Sequence, residues 1–81
     1  MEIKSLNDLR PGEGGRIMQI SGGRGLVNRL AALGIRPGTR IVKINAGFMQ
    51  GPVTIEVDRT QVAVGFGMAA KIMVEAGESE R

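Results

Sequence analysis

Glu56 and Asp58 are the first residues whose types and spacing could do chemistry. They sit two apart in Val53-Thr54-Ile55-Glu56-Val57-Asp58, so in a strand both carboxylates project from one face. Paired this way they could hold a hard divalent cation or divide acid and base roles. The same alternation describes a solvated strand face, and no third oxygen ligand accompanies it. The chain contains no His and no Cys. That removes the commonest general base, the thiolate nucleophile, and the nitrogen and sulfur donors that zinc and ferrous iron prefer. The expectation is a chain with no catalytic residue, no metal site and no cofactor.

Phosphate chemistry has one candidate. Gly22-Gly23-Arg24-Gly25 precedes a helical pattern, where free backbone N–H groups and the helix dipole could cradle an anion. Neither a Walker lysine nor a complete dinucleotide glycine pattern goes with it, so the expected role of the segment is a flexible connector rather than a phosphate cradle. The net charge is +3, and between Arg10 and Lys43 seven Lys or Arg stand against the single Glu13. Such a run could steer an acidic partner, a nucleic acid or an anionic membrane face, or could be the solvated outside of a small domain. Phe48 and Phe66 are the only aromatic residues. Single-strand recognition draws on stacking worth about 1–3 kcal/mol per base, so no sequence-specific nucleic-acid binding is expected. Proline-rich peptide capture lacks its aromatic groove for the same reason.

These residues need a scaffold. A chain of 81 residues is one domain, and at that size only roughly 60% of the unfolded surface is buried, so every apolar strand position counts. Its 13 glycines are about twice the usual share of roughly 7%, which implies tight bends, as in a small barrel. The stretch Arg29-Leu30-Ala31-Ala32-Leu33-Gly34-Ile35-Arg36-Pro37-Gly38-Thr39 hands a helix over to a sheet. Leu26, Leu30 and Leu33 fall at helical spacing, Gly34 sits where a C-terminal cap needs positive φ, and Pro37-Gly38 presets a turn. Leu9-Arg10-Pro11-Gly12 uses the same device ahead of Arg16–Ile20.

The spacing predicts an opening turn over Leu6–Leu9 and strands over 16–20, 39–44, 53–58, 61–64 and 72–74, with Val53, Ile55 and Val57 pointing inward. A short helix between the first two strands is marginal alone. Its three leucines must therefore dock on the sheet as a lid. The predicted class is mainly β, a small SH3-like β-barrel of about five antiparallel strands with one inserted short helix, with an OB-type barrel as the alternative. One domain is expected over 1–75, followed by a flexible tail over 76–81. No signal-peptide pattern and no run near the ~20 apolar residues of a membrane span occur, which predicts a soluble, cytoplasmic chain with no direct membrane insertion.

At this point the chain resembles the FeoA family, the small cytosolic partners of the bacterial ferrous-iron transporter FeoB. The resemblance runs nearly end to end: Leu6, Leu9, Pro11-Gly12-Glu13 and Ile17; the central signature Arg29-Leu30 through Leu33-Gly34-Ile35 with Pro37-Gly38; Gly51-Pro52-Val53; and Ala69 to Val74. It implies an SH3-like domain without enzymatic activity that supports ferrous iron uptake by docking on the cytoplasmic GTPase part of a FeoB-like membrane transporter. Similar domains close iron-dependent repressors, which keeps a metal-responsive domain open as an alternative, beside a small basic barrel that binds nucleic acid. Gly65-Phe66-Gly67-Met68 departs from the family, which carries polar residues opening a helical turn there; two glycines weaken such a turn. Phe66 and Met68 are then either extra core or an exposed contact.

The expected partner surface combines the apolar loop residues Phe48 and Met49 with Arg29 and Arg36 of the helix-turn segment, taken to lie nearby. The alternative is that Phe48 folds back as a core plug.

Overall fold

The computed structural model describes residues 2–78. There the chain forms six strands: β1 (Glu2–Ser5), β2 (Gly14–Ile20), β3 (Arg40–Asn45), β4 (Val53–Val57), β5 (Thr60–Val64) and β6 (Ile72–Glu78). Helix α1 (Arg24–Ala32) joins β2 to β3, and the single turn α2 (Phe66–Ala69) joins β5 to β6. All pairings are antiparallel, in the order β1-β6-β2-β3-β4-β5. The ladder is open: among the described residues β1 and β5 do not pair.

The all-antiparallel architecture agrees with the expected class, and the count differs by one strand. The additional strand is β1, which pairs Ile3 with Glu75 and Lys4 with Val74. Its four residues bury no side chain fully, so the period-two contrast that marks β4 is missing from it. β6 extends to Glu78 and Ala76 is buried between Glu2 and Gly15. The first residues of the expected tail therefore belong to the sheet, and 79–81 lie outside the described residues.

Val53, Ile55 and Val57 enter the core as their alternation requires, joined by Leu6, Ile17, Ile41, Val64, Ile72 and Val74. The helix differs from its leucine pattern. Leu30 is buried and Leu26 partly so, but Leu33 is 47% exposed. The helix ends at Ala32, and Leu33 caps it with φ −94° and ψ 4°, so helical phase is lost before Leu33 could turn inward. Gly34 then takes φ +87°, Ile35 N–H donates to the Leu30 carbonyl at 2.9 Å, and Ile35 fills the core position instead.

Two glycines did not prevent α2. Ala69 N–H donates to Gly65 O (2.8 Å) and Ala70 N–H to Phe66 O (3.2 Å). Gly65 is the N-cap, a position that tolerates glycine; Ala69 is fully buried and Asn7 Nδ2 donates to the Phe66 carbonyl at 3.1 Å, so tertiary contacts outweigh the local penalty of about 1 kcal/mol at Gly67. Phe66 is 37% exposed, whereas Met68 packs partly against the core. Gly15 lets β2 cross β6: a Cβ there would overlap the Glu75 carbonyl oxygen, and the register shifts by a bulge beside it.

Candidate functional site

The segment between β3 and β4 is a closed loop that presents two large apolar side chains to solvent. Phe48 is 87% and Met49 83% exposed, so Phe48 is not a core plug. The loop's base is a near-contact of backbone: a Cβ on Gly47 would overlap the Gly51 carbonyl group. Gly51 N–H donates to Phe48 O at 2.9 Å, which closes a tight turn. Inside it Met49 has φ 52°, ψ 46° and Gln50 has φ 65°. Left-handed backbone costs a non-glycine residue roughly 1–2 kcal/mol. Two consecutive left-handed residues, Met49 and Gln50, beside the exposed apolar side chains of Phe48 and Met49 are the pattern expected where presentation matters more than local stability.

Arg29 and Arg36 do not join this loop. Arg29 lies exposed in the last turn of α1, and Arg36 folds back so that Nη2 donates to the Ala31 carbonyl near the helix end (3.4 Å). Both precede β3, whereas Phe48 and Met49 follow it. The six-residue strand, about 17 Å from first to last Cα over five steps of roughly 3.4 Å, separates the two groups. Arg36 instead lines a cleft of about 370 Å³ with Gly34, Thr39, Arg40, Val57 and Asp58. The pattern contained no signal for this cleft, because it forms only where the start of β3 meets the end of β4.

Glu56 and Asp58 are not a pair on one strand face. β4 stops at Val57, and Asp58 and Arg59 form a two-residue turn with φ 51° and 66°. Among the described residues no three His, Cys, Asp or Glu side chains gather in a metal-binding group. At Gly22–Gly25 no side chain caps the start of α1; the Gly23 carbonyl accepts from Val27 N–H at 3.1 Å, and the segment acts as a connector.

The most buried polar group was missed by the sequence reading. Lys43 is 2% exposed, and its Nζ donates to the carbonyls of Leu6 (3.2 Å), Asn7 (3.0 Å) and Leu9 (2.7 Å). Burial pushes its pKa below the ordinary lysine value, while Asp8 and Glu13 pull the other way. Glu13 is held below the usual carboxylate value, chiefly by the Arg10 N–H that donates to Oε1 at 2.8 Å, with Lys4 Nζ at 3.4 Å from Oε2. Desolvation opposes that shift without cancelling it. These groups tie the opening 3₁₀ turn (Leu6–Asp8) to β3. None of them lines the cleft.

Fold and site together define a small SH3-like β domain with an exposed apolar loop at one end of β3 and an arginine-lined cleft at the other. The FeoA domain family matches residues 4–76, and the chain belongs to that family. It is 36% identical over 76 residues to a Methanocaldococcus jannaschii protein named "Putative Fe(2+) transport protein A", spanning 89% of this chain and 90% of that one. A crystal structure described as an iron uptake regulatory protein (FeoA) superposes with a TM-score of 0.84 at 29% identity, covering 94% of this chain and 99% of the other. A manganese-dependent transcriptional repressor shares the fold at TM-score 0.84 and 23% identity. There this chain, over 91% of its length, corresponds to 41% of the larger protein. The expected family and SH3-like fold are thus both borne out. Among the described residues no helix is long and apolar enough to cross a membrane.

Proposed function

We propose that this chain is a non-enzymatic, cytoplasmic accessory protein of ferrous iron uptake that docks through its Phe48–Met49 loop on the cytoplasmic GTPase part of a FeoB-like transporter. Membership of the FeoA family and the likeness to an Fe(2+) transport protein support the setting. The observation that carries the docking surface is the closed loop, which holds two large apolar side chains out in water on a strained backbone. A soluble domain retains such residues at a cost, and a protein surface that covers them recovers it. Lack of His and Cys fits a role beside the iron path rather than as carrier of the ion. The repressor-type alternative needs a metal-ligand set that the described residues do not assemble. Arg29 and Arg36, at the other end of β3, belong to this reading only as a second point of contact.

Calorimetric titration of the full chain into the soluble GTPase part of a FeoB-type transporter tests the proposal. The expected result is saturable binding that Phe48→Ser and Met49→Ser each weaken by about tenfold or more, with unchanged melting temperatures. Wild-type affinity in a folded double variant, or no binding by the wild-type chain, overturns it.

A further inference from the structure

The cleft at the start of β3 brings two arginines and one acid together among the described residues. Arg36 and Arg40 line it with Thr39, and Asp58 is the one lining carboxylate among the described residues. Arg16 stands directly opposite Arg40 across the β2–β3 ladder, an arrangement in which like charges oppose each other. Glu75 faces Arg16 from β6, on the side away from β3. Arg16 Nη1 donates to the Gly38 carbonyl at 3.2 Å, and Arg36 Nη2 to the Ala31 carbonyl at 3.4 Å. Neutral oxygens thus anchor both guanidiniums around the Pro37-Gly38 turn without neutralising them. A guanidinium presents its donors as a planar fork that fits a carboxylate.

The geometry points to this cleft as a docking site for an acidic segment of a protein partner, with a carboxylate seated against Arg36 and Thr39 and an N–H donor of the same segment meeting Asp58. Asp58 decides between polymers. A nucleic acid would set continuous phosphate charge beside that carboxylate, and no aromatic ring lines the cleft to stack a base. A polypeptide alternates carboxylates with N–H donors and satisfies both signs. The cleft is also concave, shaped to admit a side chain, where a lipid surface would lie flat across its rim. This surface lies across β3 from Met49, and its test does not depend on the FeoB reading.

Fluorescence anisotropy of a short fluorescein-labelled peptide of alternating Asp and Gly, titrated with the full chain, reads the site. The expected result is saturable binding that is absent for the Asn-Gly counterpart and falls between about 50 mM and about 200 mM salt. Arg36→Gln should weaken it about tenfold, and Arg10→Gln, on a residue outside the cleft, should leave it unchanged. Should Arg36→Gln fail to fold, Asp58→Asn keeps the turn and is expected to tighten the acidic peptide about threefold. No binding by the wild type, equal binding by the folded Arg36→Gln variant, or unchanged binding by Asp58→Asn overturns the assignment. Stronger binding to a single-stranded oligonucleotide or to phosphatidylglycerol vesicles also overturns it, in favour of those partners.

Discussion

Lys43 Nζ donates to the carbonyl oxygen of Leu9 at 2.7 Å, thirty-four residues back along the chain, inside the domain. Bonds to Leu6 O and Asn7 O use its remaining hydrogens, so one ammonium ties the opening turn to the third strand. Lys43→Met keeps most of the apolar stem and leaves carbonyls without that donor. Loss of charge-assisted bonds in a buried place is expected to cost roughly 3 kcal/mol. Urea denaturation of the variant measures it, and a change below about 0.5 kcal/mol would remove Lys43 from the list of fold determinants.

Leu30 and Leu33 share a helical pattern and should behave unlike each other. Leu30→Ala empties a buried position and is expected to cost about 2–5 kcal/mol. Leu33→Ala, at a half-exposed cap, should stay within about 0.5 kcal/mol. Paired thermal melts compare the two; equal losses would contradict the inward swing of Ile35.

Gly47→Ala should open the Phe48–Met49 loop, because its Cβ has no room beside Gly51. The expected loss is about 1–3 kcal/mol, or displacement of the loop. Met49→Gly relieves a left-handed residue and should leave stability unchanged or raise it by up to about 1 kcal/mol, while weakening the partner contact. Denaturation midpoints together with transporter-domain affinity separate strain from contact.

Glu13 supplies the acid dependence. Its pKa is lowered from an ordinary 4.5, so the unfolded chain binds this proton more readily than the folded one. Its stabilising contribution is present above pH 4.5 and is lost as pH falls through the lower folded value. Glu13→Gln should lower stability at neutral pH and flatten the decline below pH 4.5. Melting temperatures across that range test this, and parallel curves for both proteins would contradict it.

How much was legible in the residues follows from the range of the forces involved. Alternation in Val53–Val57 exposed an inward face because burial on one side of a strand leaves a local trace. Gly34 and the Pro-Gly pairs marked their turns because backbone sterics act within a few residues. Five short strand patterns with glycine turns and one inserted helix carried the SH3-like class, and the resemblance in the central signature carried the family.

Other features depended on partners distant in the chain. β1 is a strand because Val74 and Glu75 lie beside Lys4 and Ile3, and α2 forms despite Gly67 because Asn7 and the core hold it. Nothing around Lys43 in the chain predicts a buried ammonium; three carbonyls from an earlier turn create that place. By itself the sequence determined the strand-rich class, the turn positions, the lack of soft metal donors and the exposed loop's chemistry, since each follows from residue identity or short-range sterics. Only the tertiary structure decided that Phe48 points to water, that Leu33 yields its core place to Ile35, and that the two expected halves of the partner surface stand a strand's length apart. Those outcomes depend on which distant segments meet, and no local pattern encodes such a meeting.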